Sequence, residues 1–263
     1  MFIEKNQQDL IYMSSTVIGA RHAFLTRFGG VSEGPFYSLN LGSNRGDDPA
    51  AVRENYRRAA ALMGAGIDDC AVTKQVHGNV VRLVTKADRH PCMSHVPYEA
   101  DGIVTAEKGL PLFCFTADCV PALLLDREAG VAGAIHCGWR SSASDILKNA
   151  VEQMERLGAR RDKLSAAMGP AIGRCCFETD EDVPLALSDY LGGDTEGLWD
   201  RKDNGKYLVD LRLANKRRLL QLGLREENID LSEECTVCSH DKYWSHRYTK
   251  GNRGSQAACI VLE

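Results

Sequence analysis

Several features are missing from this 263-residue sequence, and each absence removes a class of function. No apolar run approaches the ~20 residues that a bilayer-spanning helix needs, so no membrane partner is expected. The opening segment, MFIEKNQQDLIYM, has no apolar core of the kind a secretory signal carries, which points to a cytoplasmic protein. Positive charge is not in excess: 32 Lys and Arg face 36 Asp and Glu, for a net charge of -4 and a pI near 6.0. A global basic field for nucleic acid or acidic lipid is thereby excluded. The short basic runs Arg57-Arg58, Arg160-Arg161 and Lys216-Arg217-Arg218 read as solvated helix faces or ends. The seven histidines include no His-x-His pair, which argues against a multicopper centre. There is also no linker-like stretch, low-complexity segment or fixed-period repeat, so residues 1–263 read as a single domain.

What is present is an ordinary globular composition, 44% hydrophobic and 26% charged, in a chain long enough to bury a core without covalent staples. Ten cysteines are many. Without a signal segment they read as reduced thiols, most of them small buried hydrophobes, Cys175 and Cys176 included. Adjacent cysteines rarely bridge, because the geometry is strained.

The segment DDPAAVRENYRRAAALMGAG is a well-signalled helix, with Asp48 as cap, Pro49 at the first turn and Gly64 at the stop. Strand patterns follow at residues 79–85, 102–105, 111–115 and 122–126, and GVAGAIHC forms a further strand that runs into a helix. That helix carries Ile146, Leu147, Ala150, Val151, Met154 and Leu157 on one face; Ser141, Ser142 or Ser144 can cap it, and Gly158 can end it. A last helix starts at Asp210, and SQAACIVLE closes the chain as a strand. The opening stretch TRFGGVSEGPFYSLNLG reads as irregular loop. Strands and helices alternate without a strict beta-alpha-beta rhythm. The pattern predicts an α/β fold with a mixed sheet, an α-β-β-α sandwich.

One stretch contradicts its surroundings. FTADCVPALLLD is core strand except for Asp118 and Pro121, which a buried ladder does not favour, and Cys119 sits at the interruption. Two other strand ends carry a metal-ligating side chain, His77 in QVHG and His136 in AIHCGWR. Two imidazoles and one thiolate suit a three-ligand zinc site with an open fourth position. Spacing alone does not separate this from side chains that simply pack. A rival group, Cys235, Cys238, His240 and His246 in CTVCSH and WSHR, offers a second zinc site against a reading of strand-end packing.

The motifs RFGGVSEGPFYSLNLG, GDDPAAVRENYRR, QVHG, ADGIVT, TADCVPALLLD, HCGWR, GPAIGRCCFE and SHR, in this order, resemble the laccase-domain family. Its members have been called polyphenol oxidase, peptidoglycan editing factor and purine nucleoside phosphorylase. The similarity runs from about residue 20 to the end, and the ADC-VP and H-x-GWR blocks are specific to it. Two positions depart from the usual H-A-G-W-R-G block, Cys137 for alanine and Ser141 for glycine, and the late Gly-Arg element appears as GNRGSQ.

The resemblance implies a zinc enzyme with His77, Cys119 and His136 as ligands, acting on purine nucleosides and phosphate. Its implied reactions are phosphorolysis of adenosine, inosine and methylthioadenosine, and deamination of adenosine. Deamination needs a proton shuttle; Asp118 is the nearest carboxylate in sequence, with Asp101 and Glu178 as rivals, though Asp118 can equally fix a loop or a ligand. Phosphorolysis needs an anion site, for which Arg140 and Arg27 are candidates; Arg140 can instead pair within its loop. The expected assembly is a monomer or small homo-oligomer. Two other classes stay open. One is a Cys-His amidase, with Cys119 as nucleophile and His136 as base. The other is copper oxidoreduction, which His2Cys ligation suits when a weak axial group is added; copper stands second to zinc.

Overall fold

The computed structural model describes residues 1–91 and 93–263. The first part of the chain forms β1 (Phe2–Gln7), β2 (Leu10–Ser15), β3 (Arg21–Leu25), α1 (Pro49–Leu62), β4 (Val81–Leu83), β5 (Gly102–Thr105) and β6 (Leu112–Thr116). It continues through β7 (Val120–Asp126), β8 (Val131–Cys137), α2 (Trp139–Ala143), α3 (Ile146–Arg156), β9 (Ser165–Met168) and β10 (Glu178–Thr179). The last part comprises α4 (Asp182–Tyr190), β11 (Trp199–Arg201), β12 (Tyr207–Val209), α5 (Leu211–Gln221), β13 (Ile229–Leu231), α6 (His246–Thr249) and β14 (Gln256–Val261).

Two large sheets face each other. One is antiparallel, in the order β1-β2-β3-β14-β6. The other is mixed, in the order β13-β9-β7-β8-β5-β4, with parallel pairs at its two edges. A small sheet, β10-β12-β11, stands apart from both. Successive strand residues point to opposite faces, and the buried clusters follow that alternation. Phe24, Leu112, Leu123 and Ile260 pack between the sheets. Their neighbours Leu25, Phe113 and Cys259 pack outward with Ala59 and Leu62 of α1. Leu124 and Ile135 pack the other way, with Ile146, Leu147 and Val151 of α3 and Leu219 of α5. The layers are therefore α-β-β-α, as the sequence pattern predicts. Among the described residues, no helix is long and apolar enough to cross a membrane.

The start of α1 matches its signals: the Asp48 side chain accepts from the Ala50 N–H, Pro49 sits in the first turn, and Gly64 takes a left-handed φ of 74° beyond the end. The helix after HCGWR differs from expectation. It is two helices, broken at Asp145, whose φ of 65° is left-handed. Its carboxylate accepts from Arg218 Nε at 2.9 Å, an ion pair that reaches it from α5. None of the three serines caps α3. Ser141 and Ser142 bury hydroxyls without a partner among the described residues, and Ser144 donates back to the Arg140 carbonyl at 2.7 Å.

Candidate active site

The break in FTADCVP lies at residues 117–119, where β6 ends and β7 of the facing sheet begins. The chain must leave one sheet for the other there. Asp118 takes a φ of 88°, which a side-chain-bearing residue tolerates only when held. It is held at three points. Its Oδ1 accepts from Thr236 Oγ1 and its Oδ2 from the Arg247 N–H, both at 2.6 Å, and its carbonyl accepts from the Ile172 N–H at 2.8 Å. Pro121 lies inside β7, where its missing donor is harmless and its carbonyl accepts from the Gly169 N–H.

Asp101, 2% exposed at the entry to β5, organises the two histidines. Its carboxylate accepts the N–H groups of Val76, His77 and Gly78 at 3.0, 2.9 and 2.8 Å, which fixes the loop that holds His77 at a left-handed φ of 61°. The same carboxylate lies 2.7 Å from His136 Nδ1, near the end of β8. Burial alone would raise the Asp101 pKa, but the His136 ring and the backbone donors outweigh it and hold the carboxyl below its usual range. With Nδ1 committed to Asp101, Nε2 of His136 is left to face the third residue.

That residue is Cys119. Its Sγ lies 3.9 Å from His77 Nε2, and ligand atoms of His77, Cys119 and His136 all fall within 4.8 Å of one another. The two imidazoles meet edge to face, with ring centroids 4.9 Å apart. Burial would raise the Cys119 thiol, but the His136 and His77 rings bring it down to about 6. Burial would likewise lower His136, but the Cys119 sulfur and Asp101 lift it to about 9. Without a cation between them, the two form a thiolate–imidazolium pair. Gly138 leaves the space that they share: a Cβ there would stand 3.0 Å from His77 Cδ2, 3.4 Å from Cys119 Sγ and 3.7 Å from His136 Cε1.

The trio opens into a cavity of about 590 Å³, within the ~300–1,000 Å³ range of small-molecule sites. Asp118 and Arg140 also line it, Arg140 exposed and stacked 4.2 Å over the Trp139 ring. Arg27 is not brought there. Its guanidinium donates to the Tyr37 and His240 carbonyls and stacks on Trp244. Glu178 also lies outside the lining, paired with Lys202.

Sequence reasoning missed Arg45, Arg247 and Arg253, which line the same cavity beside His246, a residue offered in sequence only as a possible ligand of a second zinc. Together with Arg140 they set four arginines against one carboxylate, Asp118, among the described lining residues. Burial and then Arg45 depress the Arg253 guanidinium to about 10, and its buried Nε has no partner among the described residues. Burial and Arg253 also lower His246, so its imidazole is neutral near pH 7. The SHR and GNRGSQ motifs were the available signal for His246, Arg247 and Arg253. The group Cys235, Cys238, His240 and His246 is not assembled. His240 stacks on Tyr248 and binds the Val237 carbonyl, while His246 faces the cavity. Cys235 and Cys238 instead meet Cys175 and Cys176, which are not the buried hydrophobes expected: Cys175 is exposed and Cys176 half-buried. The reason is topological, since the chain segments that hold the two pairs run side by side at Ala171 and Cys235.

Comparison with known proteins agrees with this architecture. The family model described as multi-copper polyphenol oxidoreductase laccase matches residues 21–263. YlmD of Geobacillus stearothermophilus, named a purine nucleoside phosphorylase, is 36% identical over 247 residues, which covers 92% of this chain and 90% of YlmD. RL5 of an unknown prokaryotic organism, named an adenosine deaminase, is 34% identical over 238 residues, covering 88% and 90% of the two chains. The crystal structure of YlmD covers 100% of both chains with a TM-score of 0.92 and 33% identity. With the match running from β3 to the last residue, through every segment that shapes the cavity, the chain belongs to the laccase-domain family.

Proposed function

We propose that the chain is a zinc-dependent purine nucleoside phosphorylase that also deaminates adenosine. The observation that carries the reading is the convergence of His77, Cys119 and His136 at the wall of an arginine-lined cavity. Relatives named for these two reactions support it.

The residues fit a zinc ion. Two neutral imidazoles and a thiolate are its ordinary donors, three protein ligands leave a position for water or substrate, and Gly138 keeps the space clear. Copper fits less well, because no methionine is among the described lining residues to act as a weak axial ligand. A bound zinc supplies Lewis-acid polarisation and lowers the pKa of water at the site.

The chain's own groups do the rest. Arg45, Arg140 and Arg253 hold the phosphate; charge-assisted bonds to an anion inside a cavity are the strong class. Phe115, Trp139 and Phe177 offer apolar faces to the purine ring. His246, neutral near pH 7, can accept the proton that the attacking phosphate or water gives up and, as the imidazolium, pass it to the leaving purine or ammonia. Asp118 has both oxygens engaged, so its part is to fix the loop that presents Cys119. In phosphorolysis a phosphate oxygen bonds to the ribose C1′ as the C–N bond breaks and the purine leaves protonated. In deamination water adds at C6 and ammonia leaves.

Cys119→Ala tests this reading. It should lose the metal and both activities while keeping the circular dichroism of the parent. A fully active, zinc-replete variant would remove the basis of the proposal.

The thiolate–imidazolium pair also favours a second reading, a Cys-His amidase with Cys119 as nucleophile. Alkylation separates the two. Zinc-loaded protein resists iodoacetamide at Cys119 and keeps its activity under the first reading, and is inactivated under the second.

A further inference from the structure

We propose that Cys175, Cys176, Cys235 and Cys238 bind a second zinc ion, a closed structural site distinct from the one at Cys119. Their four sulfurs lie within 4.8 Å of one another. Cys238 Sγ stands 3.6 Å from Cys175 Sγ and 3.5 Å from Cys176 Sγ. These separations suit one ion. Four thiolates at ~2.3 Å from a tetrahedral zinc stand roughly 3.8 Å apart, whereas a disulfide needs ~2.05 Å. The cysteines of an iron–sulfur cluster stand farther apart still, because the cluster's own atoms lie between them.

The local backbone is built for thiolate. Cys235-Thr236-Val237-Cys238 is a Cys-x-x-Cys turn, closed by the Ser239 N–H on the Cys235 carbonyl at 2.9 Å. The Gly173 N–H donates to Cys235 Sγ at 3.2 Å, and the N–H groups of Val237 and Cys238 face the same sulfur. Donors gathered on one sulfur stabilise its anion, as is usual around a thiolate-bound metal. Gly173 also has little room for a side chain, since a Cβ would meet Cys235 Cβ at 3.2 Å and Cys175 Sγ at 3.3 Å.

Four protein ligands leave no open position, so the site is structural rather than catalytic. It joins two segments far apart in sequence, Cys175 and Cys176 lying 63 and 62 positions before Cys238. One carries Ile172 and Phe177 of the cavity wall, and the other leads to His246 and Arg247. Arg247 Nη1 donates to the Cys176 carbonyl at 3.1 Å, while its N–H holds Asp118. Thr236, inside the Cys-x-x-Cys turn, holds the other Asp118 oxygen. The second ion thus clips together the two loops that set the wall beside Cys119.

The test measures metal on the full chain, purified under reductant without chelator. Parent protein should carry about two zinc ions, and Cys119→Ser about one. Cobalt(II) in Cys119→Ser should then show the intense thiolate charge-transfer bands of a tetrahedral four-sulfur site. The Cys175→Ser/Cys238→Ser double variant should lose those bands; if it fails to fold, the Cys119→Ser protein decides alone. Metal-free Cys119→Ser with all four thiols reacting freely with a disulfide reagent would overturn the proposal. So would a mass two daltons low under non-reducing conditions, which marks a disulfide. Because Cys119→Ser isolates this cluster, its outcome is independent of the catalytic assignment.

Discussion

Asp101 Oδ1 lies 2.7 Å from Nδ1 of His136, and the same carboxylate accepts the backbone N–H of His77. One buried side chain therefore sets the ring orientation of one proposed ligand and the backbone of another. Asp101→Asn retains the shape but weakens the acceptor and turns an amide N–H toward the loop donors. Metal affinity and activity should each fall about 10- to 100-fold, the usual cost of losing such a partner. Zinc titration against a chromophoric chelator, alongside kcat/KM, checks this. Unchanged affinity would mean that His136 is oriented by β8 alone.

Gly138→Ala should act by crowding. The added methyl has His77 Cδ2 at 3.0 Å and the Cys119 sulfur at 3.4 Å. Because φ at Gly138 is -68°, backbone strain is not the cause. Zinc content should drop while the melting temperature moves little, readable from metal analysis and calorimetry on one sample. A variant with full zinc and parental turnover would show that the neighbouring loop yields.

Proton release on metal loading follows from the thiolate–imidazolium pair. With Cys119 lowered to about 6 and His136 raised to about 9, the metal-free protein holds one proton too many for ligation between those values. From these two ligands zinc binding should therefore release about one proton at pH 7.5, rising toward two below pH 6 and falling toward none above pH 9, with any proton lost by zinc-held water added to that count. Release from this pair should make apparent affinity climb at least roughly tenfold per pH unit between pH 6 and 9. Calorimetry in buffers of different ionisation enthalpy measures the count. A pH-independent affinity across that range would contradict the pair.

Much of this site was legible locally. His77, Cys119 and His136 each sit where a strand ends, and the Asp118-Cys119 step stood out because a core strand had no use for it. α1 was legible because Asp48, Pro49 and Gly64 are short-range signals. What was not legible depends on long-range pairing. Arg253 reaches the cavity because β14 inserts between β3 and β6, with the Ser255 N–H on Asn40 Oδ1 at 3.0 Å. Arg218 unwinds the helix start at Asp145 from 73 positions away. The partners of Cys238 lay 62 and 63 positions upstream, while the nearer histidines turned elsewhere. Arg27 sat in a promising Gly-rich loop, but the Tyr37 carbonyl of that loop and the His240 carbonyl from far along the chain take its donors.

Arg140 separates the two proposed reactions. It is exposed in the cavity, rests on the Trp139 ring, and has no ion-pair partner among the described residues. Arg140→Ala should raise the phosphate KM about tenfold or more, as expected for loss of one charge-assisted bond. Deamination, which uses water, should change less than threefold, about the 0.5 kcal/mol of an ordinary surface substitution. Initial rates against phosphate concentration, with ammonia release measured in parallel, check this. Equal loss of both would make Arg140 a residue that positions the nucleoside.

The most direct measurement is product analysis with adenosine and zinc-verified protein, run with and without inorganic phosphate. The account predicts adenine and ribose 1-phosphate only when phosphate is present, inosine in either case, and hypoxanthine as inosine is itself phosphorolysed. Adenosine recovered unchanged from zinc-replete protein, with phosphate in excess, would contradict it.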